Sequence, residues 1–213
     1  VNIKINDFIG TLNWNKPWSS SSYINHYLFL IKNSNIEETV KNEMLDKLIK
    51  FILNKQNYDC SYGTIQSNAA SQMTGSAMKI LMALSIVGKE YLGINNLLVD
   101  KLLLDLKTQD ACEEVNLAFC LCYCLFSLDY RSDEIKIKLM NILYRWKKEY
   151  YFEEYGAFSF YKNKSQTNYY DLKVSRGFNI PDIHGSAMFI LGIERITKAL
   201  SIKEIDIFYR CYT

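Results

Sequence analysis

Apolar residues that recur at every third and fourth position cover most of this 213-residue chain. This spacing puts them on one face of an α-helix and is typical of helices that pack on a core. The chain has only 9 glycines and 2 prolines, which excludes linker-rich and low-complexity classes. We therefore expect an all-α fold, with helices over residues 18–32, 37–55, 73–87, 95–107, 115–128, 132–151 and 183–200.

The predicted helices alternate between two kinds. Those that begin near residues 19, 73, 112 and 183 are apolar on most sides, as expected of inner helices, whereas those between them carry charge on one face. Alternation of this kind predicts helical hairpins in an inner and an outer layer. The length suits one domain, which we place over residues 1–213.

A short internal repeat supports a repeated helical unit. Residues 75–81 (GSAMKIL) and 185–191 (GSAMFIL) agree at six of seven positions. Each copy follows a turn rich in glycine and aromatic residues, at 59–63 and 156–160, and each is predicted to open an inner helix. Small side chains at that point let neighbouring helices approach closely.

These turns and the two GSAM helix starts resemble the repeat of protein prenyltransferase β subunits and of squalene-hopene and related terpene cyclases. The resemblance covers roughly residues 18–200. It implies an α/α-toroid of the six-hairpin type with an apolar central cavity. Only about four hairpins are evident here, so the toroid is expected to be partial, or completed by further residues, an oligomer or a partner.

For function, the resemblance implies an isoprenoid-like hydrophobic ligand that is bound or transformed in the cavity. The chain lacks the Asp-x-Asp-Asp and Asp-Asp-x-x-Asp motifs that start carbocation cyclisation, which argues against a cyclase of the usual kind. Two alternatives stay open: a non-catalytic binding or scaffold protein of the same fold, and a carbohydrate-active toroid with two facing carboxylates.

The resemblance also implies a zinc site. Related prenyltransferases bind zinc through an Asp-x-Cys pair at one inner-helix start and a histidine at a later one, which here are Asp110, Cys112 and His184. Carboxylate, thiolate and imidazole would leave one position open to activate a substrate thiol. The alternative is that Asp110 only caps a helix and that Cys112 only packs.

A second candidate is the pair Asp182 and His184, which could carry out general acid–base catalysis beside the long loop. The alternative is that Asp182 caps the helix that follows Pro181.

Aromatic residues supply the candidate ligand contacts. Tyr62, Phe158 and Phe160 belong to the two turns, and they are either ligand contacts or core residues. The second turn is followed by a loop about twelve residues longer than the first, which contains Tyr169, Tyr170 and Arg176. Long loops in compact domains are commonly functional, so we predict that these three residues also bind substrate.

Charge and cysteine content narrow the function class. The net charge is only +2, and no dense basic segment is present. The sequence therefore does not predict a strong electrostatic attraction to nucleic acid or to an anionic membrane. No apolar stretch is long enough for a transmembrane helix. The six cysteines do not have the pattern of a small secreted disulfide framework, so we expect thiols in a reducing cytoplasm. The Asn, Lys, Ile and Tyr content suggests a bacterial source, and the missing initiator methionine suggests a processed or excised chain.

Overall fold

The computed structural model describes residues 5–57, 61–62 and 70–202, with side chains at all of these except 70 and 71. Helices dominate this part of the chain, which confirms the all-α prediction, and only four two-residue strands accompany them. The chain divides into two compact units, Val1–Leu104 and Asp105–Thr213. Cys60, Cys211 and most of the turn at 59–63 lie outside the described residues.

Unit 1 is built on three long helices. A short helix α1 (Ile5–Gly10) precedes α2 (Pro17–Lys32), α3 (Glu38–Lys55) and α4 (Ala70–Ser85), and α2 packs against both α3 and α4. Apolar residues at helical spacing on the three helices form its core, including Leu28, Leu48, Ile52, Ile80 and Leu84.

The first GSAM copy does not open its helix as predicted. Helix α4 begins at Ala70, so Gly75 lies more than one turn inside it. An isolated bridge between Gln56 and Tyr62 joins the end of α3 to the turn. A 3-10 helix (Glu90–Gly93) and α5 (Asn96–Leu103) complete the unit, and Asn95 caps α5 by accepting the N–H of Leu98 at 2.9 Å.

Unit 2 also contains three long helices. Helix α6 (Ala111–Ser127) is followed by α7 (Ser132–Glu149), a hairpin of β1 (Tyr151–Phe152) and β2 (Ala157–Phe158), a long loop, and α8 (Ile183–Ala199). A 3-10 turn (Glu153–Tyr155) joins β1 to β2. Helix α8 packs against α6, as α4 packs against α2 in unit 1. The long loop contains a second hairpin, β3 (Asn168–Tyr169) and β4 (Leu172–Lys173).

An ion pair is buried between α6 and α7. Glu114 has no exposed surface, and its carboxylate accepts from Arg145 at 2.6 and 3.1 Å and from the Trp146 indole N–H at 2.8 Å. Thr108 also donates to it. The partners offset the cost of removing this carboxylate from water, so the pair fixes how α7 lies on α6.

The cysteines of α6 belong to the core. Cys120, Cys122 and Cys124 are all fully buried because α6 is covered on several sides, and with Cys112 they are thiols and not disulfides. Burial raises the pKa of Cys122 to about 12, so this thiol is not a nucleophile at neutral pH. No helix in the described ranges is long and apolar enough to cross a bilayer.

Candidate functional site

The backbone of Phe160 joins the beginnings of two helices. Its carbonyl accepts the N–H of Ala111, the first residue of α6, at 2.8 Å. Its own N–H donates to the Asp182 carboxylate, the cap of α8, also at 2.8 Å. The N-terminal ends of α6 and α8 therefore lie on either side of residue 160, and the candidate site is built at this point.

Gly185 allows the start of α8 to approach the backbone of Ser159 and Phe160 closely. A Cβ there would lie 2.4 Å from the Ser159 carbonyl carbon and 2.5 Å from the Phe160 nitrogen, closer than atoms can pack. The Ser186 hydroxyl accepts the Phe158 N–H at 3.0 Å and donates to the Phe158 carbonyl at 3.1 Å. The second GSAM copy therefore docks the start of α8 onto strand β2.

Asp110 and Asp182 cap α6 and α8 in the same way. Each has one carboxylate oxygen that accepts the N–H three residues ahead, that of Glu113 at 3.0 Å and that of Gly185 at 2.8 Å. The second oxygen of Asp182 accepts the N–H groups of Phe160 and Gln166. With three backbone donors on Asp182, the contacts favour capping over proton transfer for this residue.

His184 lies at the second position of α8, where its ring is held on several sides. Its Nδ1 is 3.0 Å from the side-chain oxygen of the buried Gln166. The ring stacks on Phe160 with centroids 4.7 Å apart and meets the edge of Tyr169 at 5.7 Å. Because an amide oxygen only accepts, this contact puts a proton on Nδ1, and in the neutral imidazole the lone pair is then on Nε2.

Asp110 is close enough to His184 for their charges to interact. Burial raises the pKa of Asp110, while N–H bonds from Glu113 and Cys112, and the charge of His184 when its imidazole is protonated, act in the opposite direction. Asp110 and His184 thus lie at the beginnings of two different helices, α6 and α8, which are joined through the backbone of Phe160.

The predicted zinc ligands do not converge as a metal site. Cys112 is half-buried, and its backbone N–H is bonded to Asp110. Within residues 5–57, 61–62 and 70–202, no group of three or more His, Cys, Asp or Glu side chains is placed to hold a metal ion. The zinc site at Asp110, Cys112 and His184 therefore gains no support and stays a prediction.

The predicted ligand contacts separate into four groups. Phe160 and Tyr169 contact His184 directly. Phe158 packs inward on Tyr151 and Phe189, whereas Tyr170 and Arg176 are exposed on the long loop. Tyr62 belongs to unit 1, where it is buried beside Trp14. Of the six residues, two thus adjoin the imidazole.

Gln166 is the site residue that sequence reasoning did not identify. It lies in the loop, where Asp182 binds its backbone N–H and Ser175 its carbonyl, and its side chain contacts His184. A single glutamine within a polar loop gives no periodic or motif signal.

No protein-family model, curated protein or solved structure matches this chain. The resemblance to prenyltransferases and terpene cyclases therefore rests on the turns and helix starts of the sequence alone.

Proposed function

We propose that unit 2 binds a hydrophobic, isoprenoid-like small molecule at the N-terminal ends of α6 and α8, with its polar end on His184. The observation that carries the proposal is the fixed imidazole: Gln166 holds Nδ1, and Phe160 and Tyr169 hold the ring plane. A ring held in this way can present Nε2 to a ligand without first losing rotational freedom.

The surroundings of His184 suit a ligand with an apolar body. Phe160 is buried, while Tyr169 is about half exposed, so the aromatic surface extends from the core to solvent. Pockets that bind organic ligands combine such apolar walls with a few placed polar groups. The polar groups here are His184 and Asp110.

The resemblance supplies two parts of this proposal: the isoprenoid class of the ligand, and the arrangement of the helices as a partial toroid. Binding is the proposed activity, because the described residues of the site offer one imidazole and one capped carboxyl group but no second group placed for proton transfer.

Calorimetric titration with farnesol and farnesyl diphosphate tests the proposal. The chain has 2 histidines, which provides a matched control. We expect His184→Ala to weaken binding about tenfold or more, as loss of a hydrogen bond to a charged or polar group predicts. His26→Ala, an exposed residue of α2 in unit 1, should bind like the parent protein.

Equal affinity of the parent protein and the His184→Ala variant would contradict the proposed site. If neither compound binds, the isoprenoid class is wrong. Release of diphosphate during the titration would show an enzyme instead of a binding protein.

A further inference from the structure

The long loop of unit 2 exposes an unusual number of large apolar side chains. Tyr170 is 72%, Leu172 70% and Ile183 90% exposed. Tyr169, Val174, Phe178 and Ile180 are also exposed, so seven such residues lie within fifteen positions. Exposed apolar side chains concentrated in one segment are typical of an interaction site in a folded protein.

The same loop has a basic excess. Residues 161–183 contain Lys162, Lys164, Lys173 and Arg176 and two acidic residues, Asp171 and Asp182, and the Asp182 carboxylate is bonded to backbone N–H groups. Lys162 pairs with Glu149, which leaves three cations against the exposed Asp171. The net charge of +2 for the whole chain hides this local charge.

Hydrogen bonds hold the loop in this conformation. Ser165 donates its N–H to Phe178 at 2.9 Å, and Val174 donates to Thr167 at 2.8 Å. The Ser175 hydroxyl donates to the Gln166 carbonyl at 2.6 Å. The apolar side chains are therefore kept at the surface by a fixed backbone and cannot simply turn inward.

We propose that this loop, residues 161–183, docks onto an anionic lipid bilayer. Tyrosines and aliphatic residues suit the interface, where an apolar side chain enters the boundary of the acyl chains. Lys164, Lys173 and Arg176 match negative headgroups in charge, and each adds to membrane attraction. A second copy of the same surface would bring like charges together, so charge complementarity favours lipid over self-association.

This inference goes beyond the proposed ligand site and does not depend on it. Tyr169 is shared by the two sites, but the other residues that carry this inference are exposed positions outside the group that holds the His184 ring. Variants can therefore be chosen that leave His184, Gln166 and Tyr169 unchanged.

Co-sedimentation of the full chain with vesicles provides the test. We expect binding to vesicles of phosphatidylcholine with phosphatidylglycerol, weaker binding to phosphatidylcholine alone, and loss of binding at high salt, where charges are screened. Lys173→Gln with Arg176→Gln should reduce binding about tenfold or more. The matched control is Lys147→Gln with Lys148→Gln, two exposed cations of α7.

A second pair of double variants tests the contribution of the exposed apolar side chains to vesicle binding. Leu172→Ser with Phe178→Ser should reduce binding by a similar factor, and Ile137→Ser with Tyr144→Ser, which are exposed on α7, should not. Circular dichroism would check that each variant keeps its helices. The proposal fails if the parent protein does not bind the anionic vesicles, or if loop and control variants bind alike. Concentration-dependent dimers that the Leu172/Phe178 variant abolishes, without vesicle binding, would identify a second copy as the partner instead.

Discussion

The Phe160 N–H donates to the Asp182 carboxylate at 2.8 Å, so one side chain caps α8 and also holds the segment that follows β2. The same oxygen receives the N–H of Gln166, which positions the partner of His184. Asp182 is thus a positioning residue for the candidate site.

Loss of these bonds should be costly. We expect Asp182→Ala to lower the free energy of unfolding by about 2–4 kcal/mol, because it removes a helix cap and two further backbone partners. Urea denaturation measures this. Asp110→Ala serves as the control and should cost only about 1 kcal/mol, the usual value for a cap. Equal losses in the two variants would mean that the additional Asp182 bonds contribute nothing.

Protonation of Asp110 should affect stability with a defined sign. Burial raises its pKa, so the folded state holds this proton more tightly than the unfolded chain does. The contribution of this residue to the free energy of unfolding is then largest at low pH, and it decreases as the pH rises from about 4 through the raised pKa of Asp110. Asp110→Asn keeps an accepting oxygen for the cap but cannot titrate, so it should flatten this part of the profile. Unfolding free energies measured across this range in both proteins provide the comparison, and superimposable slopes would refute the assignment.

The buried carboxylate of Glu114 should matter far more than an exposed one. Glu114→Gln leaves the Arg145 guanidinium without its counter-charge, and we expect a loss of about 3 kcal/mol or more. Glu134→Gln disrupts the Arg131 pair on the surface and should cost less than about 1 kcal/mol. Thermal or urea unfolding distinguishes the two, and a small effect at Glu114 would show that water reaches this pair.

The close packing around Gly185 predicts that a larger residue there lowers the stability of the protein. The Cβ of Gly185→Ala would overlap backbone atoms of Ser159 and Phe160, which cannot yield as a flexible side chain can. We expect a loss of about 1–3 kcal/mol and weaker ligand binding, since α8 must move away from Phe160. A Cβ at Gly10 meets open space, so Gly10→Ala should change stability by less than about 1 kcal/mol. A Gly185→Ala variant as stable as the parent would mean that the close approach is not required.

The helices could be predicted from sequence because their apolar periodicity is local. Helices α3, α7 and α8 begin within one residue of the predicted positions. The start of α4 was missed because residues 70–72 are small or polar and show no apolar period. The two short hairpins were missed as well, since two-residue strands are too short for alternation to be detected.

The candidate site was only partly predictable for a related reason. Asp110, Asp182 and His184 stand at helix starts, which sequence patterns identify. The contact of His184 with Gln166 joins residues 18 positions apart through an irregular loop. Its geometry depends on the backbone bonds of Asp182, which no residue pattern encodes.

The loop leaves Phe160 and returns at Asp182, and these two residues are bonded to each other. This hydrogen bond therefore closes the segment between them at its base and fixes both of its ends. We expect that the tip of this segment can be lengthened or replaced without moving α8, provided that the two end residues, Gln166 and the bonds of Ser175 and Phe178 are kept. For protein engineering, this makes the β3–β4 hairpin, residues 168–173, a place to insert a reporter or a binding peptide.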